Sequence, residues 1–304
     1  KLISDVKEIK LFKNEIAISE MEAINNAIAD FSKIKLDNSI IDELNVLKKQ
    51  FQKQDLIKLL TLSMLTIIAY ISTFIWMIDR WTKHDTYYSH GFLVPLISIF
   101  IVWLKREKLS KLKIIPLKLG WVFFIVGILI HLISALWRVY FTSGFSLLLV
   151  LMGLILLFLG KEFLKQLIFP LLFLVFMIPL PLLAIANISF RLKIFAAQVS
   201  TFIINKLGVP AVRDGSVIKT MHSYLMVEDP CSGIRSLIAL IALGTLMAYF
   251  SDISRVKKAI LFVSSIPIAI GSNIIRIVAL SLASEMYGAQ FATGWFHDTM
   301  GILV

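Results

Sequence analysis

The stretch that decides the fold runs from residue 259 to residue 280 and reads AILFVSSIPIAIGSNIIRIVAL. Its only charged residue is Arg276, and nearly every other side chain is apolar or small. The hydrocarbon core of a bilayer is about 30 Å thick and is crossed by a helix of roughly 20 apolar residues. This stretch therefore predicts a membrane-spanning helix that carries a single cation.

The rest of the chain has the same apolar character. Of its 304 residues, 58% are hydrophobic and 17% are charged, whereas a soluble domain is about 45–50% apolar and about 25% charged. This composition excludes a single soluble globule and a disordered chain. The chain has one cysteine, so an intrachain disulfide and a four-cysteine zinc site are also excluded. We expect a polytopic membrane protein.

Seven apolar runs are long enough, or nearly so, to cross a bilayer, and an eighth begins near residue 298 and is truncated. They predict an all-α polytopic membrane protein with about eight transmembrane helices. Residues 1–55 carry an amphipathic pattern and are expected to form a cytosolic helical appendage to a multi-pass transmembrane domain at 56–304. The seven complete runs are 56–78, 88–104, 119–137, 141–160, 167–186, 231–250 and 259–280.

Lysine and arginine are concentrated in three of the loops between these runs. Loops 105–118, 161–165 and 251–258 together hold 11 basic residues in 27 positions. By the positive-inside rule, these loops and the N-terminus face the cytoplasm. Membrane topology thus explains the formal charge of +11, and a nucleic-acid partner is not expected. The predicted localisation is the cytoplasmic membrane, with the N-terminus on the cytoplasmic side. The loops predicted to be extracytoplasmic are 79–87, 187–230 and 281–297.

The long extracytoplasmic loop contains two recognisable features. Residues 187–207 mix large apolar side chains with three cations and predict either an interfacial amphipathic helix or an imperfect extra span. Asp214-Gly215 lies between two short β-prone runs, which is a strong hairpin signal. We therefore expect a small extracytoplasmic β-hairpin within residues 209–228, shortly before Cys231.

Cys231 follows Pro230 and opens an apolar run, so its thiol is expected at the start of a helix. The positive end of the helix macrodipole and Arg235, one turn further on, would both favour the thiolate. The alternative is a buried and chemically inert cysteine.

Arg276 and His297 are expected at the same depth as Cys231. Arg276 lies 17 residues into a helix that starts on the cytoplasmic side, or about 26 Å along it, and Asn273 shares its face. A cation inside an apolar run marks a functional site by default, although the Arg276 side chain could instead extend to the headgroups.

His297 precedes the last apolar run, and it could have a structural role instead of a catalytic one. A cysteine and a histidine can serve as nucleophile and base, and a guanidinium can stabilise an oxyanion.

His90 stands at the outer end of the second run, beside Tyr87 and Tyr88. An aromatic belt at the membrane interface is an equal alternative to a role of His90 in the site. The spacing of His84, His90 and His222 does not support a metal site, and no cofactor is predicted. Two other functions stay open, a membrane transporter and a transferase that uses a lipid-linked envelope donor, and neither would depend on Cys231.

Five segments of the chain resemble, in order and spacing, the exosortase/archaeosortase family of membrane cysteine transpeptidases. The resemblance covers about residues 75–304 and leaves residues 1–55 outside. The segments are YSHGFLV at 88–94, GVPAVRDG at 208–215, PCSGIRS at 230–236, NIIRI at 273–277 and WFHD at 295–298.

The resemblance implies an enzyme that recognises a C-terminal sorting signal of the PEP-CTERM kind, made of a short motif, a hydrophobic helix and a basic tail. Such an enzyme would cleave membrane-anchored substrate proteins at the outer face and pass the acyl group to an unknown acceptor, in systems linked to exopolysaccharide production. The resemblance assigns Cys231 as the nucleophile, Arg276 as the intramembrane arginine and His297 as the histidine partner. The residues expected to bind substrate or support these three are Arg235, Asn273 and His90.

Overall fold

The computed structural model describes residues 53–83, 86–227 and 233–288, and this part of the chain is mainly helical. Within it, the described residues of 58–105 and 113–288 belong to one compact unit, which does not include residues 106–112. The first helices are α1 (Lys53–Ala69), α2 (Ile71–Thr82), α3 (Leu93–Leu104), α4 (Arg106–Ser110), α5 (Gly120–Leu136), α6 (Tyr140–Phe158) and α7 (Lys161–Phe173). The later elements are a 3₁₀ turn (Leu174–Met177), α8 (Leu182–Lys206), β1 (Val212–Asp214), β2 (Val217–Lys219), β3 (Tyr224–Met226), α9 (Ile234–Phe250) and α10 (Arg255–Tyr287).

Three of the described helices, α6, α8 and α10, are long and apolar enough to cross a membrane. Helices α1 and α2 meet the same criteria as a pair, with a bend of 57° between them. Helices α3, α5 and α9 are apolar but shorter. This agrees with the predicted helical membrane protein, whereas the count of about eight spans stays a prediction. Residues 1–52 of the expected appendage and the apolar run near residue 298 lie outside the described residues.

The predicted run 167–186 is not one helix, which corrects the sequence interpretation. Helix α7 ends at Phe173, the 3₁₀ turn ends at Met177, and α8 begins at Leu182. Pro179 and Pro181 lie in the break. A proline has no N–H to donate and disfavours helical backbone in the residue before it, so the helix cannot continue through this segment.

Helices α5 and α6 form an antiparallel hairpin whose backbones approach closely at glycines. A Cβ at Gly153 would lie 2.6 Å from the backbone nitrogen of Phe124, and a Cβ at Gly120 would lie 2.6 Å from the carbonyl oxygen of Gly153. A Cβ at Gly127 would lie 2.7 Å from a side-chain carbon of Val150. Small residues allow this close packing, which drives helix association where lipid removes the hydrophobic effect.

A polar network joins the bend between α1 and α2 to the α5–α6 hairpin. The Nε2 atom of His131 lies 3.1 Å from the carbonyl oxygen of Ala69, and its Nδ1 atom lies 2.8 Å from the Oγ atom of Ser143. Because a carbonyl only accepts, Nε2 carries a proton and donates it to the Ala69 oxygen. Tyr70 stacks on this ring at 3.9 Å and shares a 2.7 Å hydrogen bond with Ser146. The network satisfies polar groups that would be costly if left unpaired in an apolar interior.

A three-stranded antiparallel sheet, in the order β1–β2–β3, covers the later part of the helical unit. The turn at Asp214-Gly215 joins β1 to β2, so the predicted hairpin is confirmed, and β3 adds a strand that was not predicted. Ile218 of the sheet is buried with Ile204 of α8 and Ile277 of α10. Lys219 donates a 2.8 Å hydrogen bond to Asp214, and this bond holds the pKa of the exposed Asp214 carboxyl below its usual value.

Helix α10 is longer than a bilayer core is thick. Its 33 residues span about 50 Å at 1.5 Å per residue. The helix ends at Tyr287 and thus continues past residue 280, the predicted end of its apolar run. Near its end, Glu285 accepts hydrogen bonds from the backbone N–H of His222 at 3.1 Å and from the ring Nδ1 of His222 at 2.7 Å. The sheet is therefore attached to the C-terminal part of α10.

The glycine contacts of the α5–α6 hairpin predict the effect of a single methyl group. We expect Gly153→Ala to destabilise the protein by about 1–3 kcal/mol, because the new Cβ overlaps backbone that cannot move without separating the helices. Gly271→Ala is the matched control, since a Cβ at that position in α10 meets nothing within 4 Å. A helical alanine there should be neutral or stabilising. Thermal denaturation of both variants in detergent measures the difference, and equal midpoints would contradict the described packing.

Candidate active site

The structure describes four of the six predicted site residues, and these are Asn273, Arg276, Arg235 and His90. The other two, Cys231 and His297, lie outside the described residues. The structure therefore describes the elements next to Cys231 in the chain. It also describes α10, the helix that carries Asn273 and Arg276.

The start of α9 packs directly on the Asn273 side chain. Gly233 precedes the helix with a left-handed backbone (φ 77°). A Cβ at Gly233 would lie 2.8 Å from Cγ and 2.9 Å from Nδ2 of Asn273, and Asn273 is only 2% exposed. Glycine is thus required at position 233 both by its backbone angle and by the amide that lies against it. This contact brings together two of the segments that carry the family resemblance.

Arg276 lies one helical turn beyond Asn273 on α10 and is also buried. It is 8% exposed, so its side chain lies within the protein rather than extending over the surface to the headgroups. The apolar side chains of Ile274 and Ile277 beside it belong to the cluster that packs α10 against α8 and the sheet. An arginine stays charged in any protein environment, so the site contains a fixed positive charge close to the start of α9.

An apolar cluster holds the first turn of α9 in place. Ile234 is buried against Tyr88, which precedes α3, and against Ile185 in the first turn of α8. The hydroxyl oxygen of Tyr88 accepts a 3.1 Å hydrogen bond from the N–H of Leu180 in the proline-containing break. Because Tyr88 is 4% exposed, it is a core residue and does not belong to an exposed aromatic belt.

His90 lies in the turn before α3, beside this cluster. Its ring stacks on Tyr88 with 5.9 Å between the centroids, and neither ring nitrogen has a hydrogen-bond partner within the described part of the chain. The next residue, Gly91, packs its backbone on the indole of Trp81, whose Nε1 donates a 2.9 Å hydrogen bond to the Met177 carbonyl. This packed turn is the reason that α3 starts at residue 93 and not at residue 88, where the apolar run begins.

Arg235 is half-buried in the first turn of α9. Ser236 beside it donates a 3.0 Å hydrogen bond to the Gly233 carbonyl and thereby stabilises the start of the helix. Among the described residues, no group of three or more His, Cys, Asp or Glu side chains is arranged to hold a metal ion.

Sequence reasoning did not single out Gly233 or Tyr88 as parts of the site. Gly233 has a detectable signal, since a glycine just before a predicted helix favours an N-terminal cap with unusual backbone angles. Tyr88 opens one of the segments that carry the family resemblance, but no local pattern indicates its hydrogen bond to Leu180, which lies 92 positions away in the chain.

Comparison with known proteins connects these segments to one family. The family model described as transmembrane exosortase matches residues 81–304, which is about three quarters of the chain. No curated protein and no solved structure matches the chain. The matched region includes all six predicted site residues.

The contact between Gly233 and Asn273 predicts a stability difference between two glycine substitutions. Gly208 also has a left-handed backbone (φ 89°), but a Cβ there meets nothing within 4 Å. Gly208→Ala should therefore cost only the backbone penalty of about 1–2 kcal/mol. Gly233→Ala should cost about 1–3 kcal/mol more, because the methyl group displaces the Asn273 amide. Denaturation of both variants in detergent tests this, and equal losses would show that Gly233 does not contact Asn273.

Proposed function

Because the chain belongs to the transmembrane exosortase family, we propose that it is a membrane-embedded cysteine peptidase or transpeptidase. Its substrates are secreted proteins that stay anchored by a C-terminal sorting signal of the PEP-CTERM kind. The enzyme cleaves this signal at the outer face of the bacterial inner membrane and transfers the new acyl group to an acceptor. The process belongs to the sorting of envelope proteins linked to exopolysaccharide.

The contact between Gly233 and Asn273 is the observation that carries this proposal. Consecutive Cα atoms are 3.8 Å apart, so the backbone of Cys231 is tethered within about 7.6 Å of Gly233 in any conformation. Residues three apart on a helix are neighbours on one face, and Arg276 is therefore adjacent to Asn273. The buried cation and the only cysteine of the chain are thus confined to one region, which supports a shared chemical role.

The proposed reaction begins when the Cys231 thiol loses its proton to His297. The thiolate adds to the scissile carbonyl carbon and forms a carbon–sulfur bond. Collapse of the tetrahedral intermediate breaks the carbon–nitrogen bond, and His297 returns the proton to the leaving amine. Attack on the resulting thioester by an acceptor nucleophile, or by water, releases the acyl group and restores the thiol.

Arg276 is proposed to stabilise the negative charge that develops on the carbonyl oxygen. A fixed cation in a dry site needs no reorganisation at the moment of reaction, and its effect exceeds that of a solvated cation. Asn273 is proposed as the residue that positions this region, since it lies between the start of α9 and Arg276. Arg235 and His90 are proposed to border the substrate, because both adjoin the buried cluster around Ile234.

The surface of the helices is suited to a substrate that arrives within the membrane. Large apolar side chains are exposed along α1, α2, α3 and α5, for example Leu60, Ile75 and Leu129. Such faces contact lipid tails or another apolar helix. The hydrophobic helix of a sorting signal can therefore approach the site laterally while its scissile motif meets the outer end of α9.

Replacement of Cys231 is the decisive test of the proposed chemistry. We expect Cys231→Ala and Cys231→Ser to lower substrate cleavage by at least about 1,000-fold, because the nucleophile is removed or weakened. The measurement is the conversion of a co-expressed substrate bearing a C-terminal sorting signal, followed by immunoblot. Gly271→Ala, which alters an uncrowded position, is the control for expression and insertion. Normal processing by both cysteine variants would favour a transporter or a lipid-linked transferase instead.

Arg276 should respond to substitution in a graded manner. We expect Arg276→Gln to lower the rate of cleavage by about 100- to 1,000-fold, as loss of an oxyanion donor typically does. Arg276→Lys should retain part of the activity, because it keeps the charge and loses the geometry of the guanidinium. The rate of a single turnover with saturating substrate separates this effect from substrate binding. If both variants reduced only the binding of substrate, Arg276 would be a recognition residue and not an oxyanion stabiliser.

A further inference from the structure

A cavity lies at the end of α2, beside the apolar cluster that holds the first turn of α9, since Tyr88 and Ile185 of that cluster are among its lining residues. Its volume is about 580 Å³, within the range of small-molecule sites. The end of α2, the turn between α5 and α6, and the proline-containing break before α8 form its walls. In the topology predicted from the basic loops, the end of α2 belongs to the extracytoplasmic loop 79–87.

Three cations line this cavity. Lys83 is paired with Asp79 at 2.9 Å, and both side chains are half exposed. Arg80 and Arg138 form no ion pair with a carboxylate of the described residues. The wall therefore presents two guanidinium groups that have no carboxylate partner among the described residues. Guanidinium groups bind phosphate through paired hydrogen bonds with good geometry.

Arg138 has an unusual backbone. It is the only non-glycine residue with positive φ (56°) within the described ranges, although glycine or asparagine is the ordinary choice at the end of a helix. Hydrogen bonds from Arg138 N–H to the Ala135 carbonyl and from Val139 N–H to the Ser134 carbonyl, at 3.2 and 2.8 Å, close the turn. Strained residues of this kind concentrate at ligand-binding positions, and here the strained residue is a cation in the wall of the cavity.

The remaining walls suit an amphiphile. Trp76 and Tyr140 stack at 5.9 Å, and such amphipathic rings favour the boundary between headgroups and hydrocarbon. Leu182 and Leu183 at the rim are 59% and 80% exposed, which leaves an apolar surface for acyl chains next to the cationic wall.

We propose that this cavity binds an anionic phospholipid. The phosphate lies between Arg80 and Arg138, the headgroup fills the space bordered by the aromatic rings, and the acyl chains pass over the two leucines. Inorganic phosphate alone would leave the apolar rim uncovered and most of the cavity empty. The chemistry thus selects a membrane lipid with a net negative charge over a zwitterionic lipid. The lipid lies next to the cluster that holds the first turn of α9, and its binding needs no substrate protein.

Lipid binding to the purified full-length chain tests the proposal. Native mass spectrometry from a nonionic detergent would measure the affinities for phosphatidylglycerol, phosphatidylcholine and inorganic phosphate. We expect phosphatidylglycerol to bind at least tenfold more tightly than phosphatidylcholine. The double variant Arg80→Gln/Arg138→Gln should lose at least tenfold of this affinity. Arg255→Gln/Lys257→Gln, which removes two exposed cations at the start of α10, is the matched control and should bind as the wild type does.

A separate variant distinguishes lost binding from misfolding. Arg138→Gly removes the cation and also relieves the positive φ, so its thermal midpoint should not fall while its affinity for phosphatidylglycerol does. Unchanged affinity in the double variant, or equal binding of the two lipids, would overturn the proposal. Displacement of phosphatidylglycerol by inorganic phosphate at similar concentration would instead indicate a simple anion site. Arginine-dependent binding of an acidic peptide without lipid would assign the cavity to a protein partner.

Discussion

The structure depends on one constraint, which is that polar groups within an apolar surrounding must find their partners inside the protein. Helices satisfy the backbone, and lipid offers no water to satisfy anything else. The buried network around His131 shows the result, since both ring nitrogens of His131 and the hydroxyl of Tyr70 have hydrogen-bond partners within the protein. The bend between α1 and α2 is stable because the Ala69 carbonyl at that bend accepts from a histidine of α5.

The same constraint makes Arg276 informative. A cation that is 8% exposed in a mostly apolar helix has a cost that packing alone does not repay. The start of α9, the buried face of α10 and the turn at Tyr88 meet around this region through apolar contacts and one glycine. Loops alone would hold a reactive group loosely, whereas these elements form a packed scaffold on which the proposed chemistry of Cys231 can be precise.

The apolar runs predicted that helices are present more accurately than they predicted the residues at which those helices begin and end. The prediction of one helix over the run 167–186 was wrong. Pro179 and Pro181 stand in this run, but mean hydropathy takes no account of the N–H that a proline lacks. The second run began too early, since the packing of Gly91 on Trp81 holds a turn that no local pattern indicates. The hairpin at Asp214-Gly215 was predicted correctly because its signal is local, and β3 was missed because three residues carry too little alternation to indicate a strand.

The sequence by itself determined that this is a helical membrane protein of the exosortase type, because composition, basic loops and short motifs are properties of the linear chain. It also predicted Asn273 and Arg276 as site residues, since a cation and an amide in an apolar helix are unusual wherever that helix packs. Only the tertiary structure decided that Asn273 lies against Gly233, that Tyr88 is a core residue, and that Arg80 and Arg138 share a cavity. The residues that meet in these places are separated by tens of positions in the chain. Their proximity arises from the packing of whole helices rather than from any local preference.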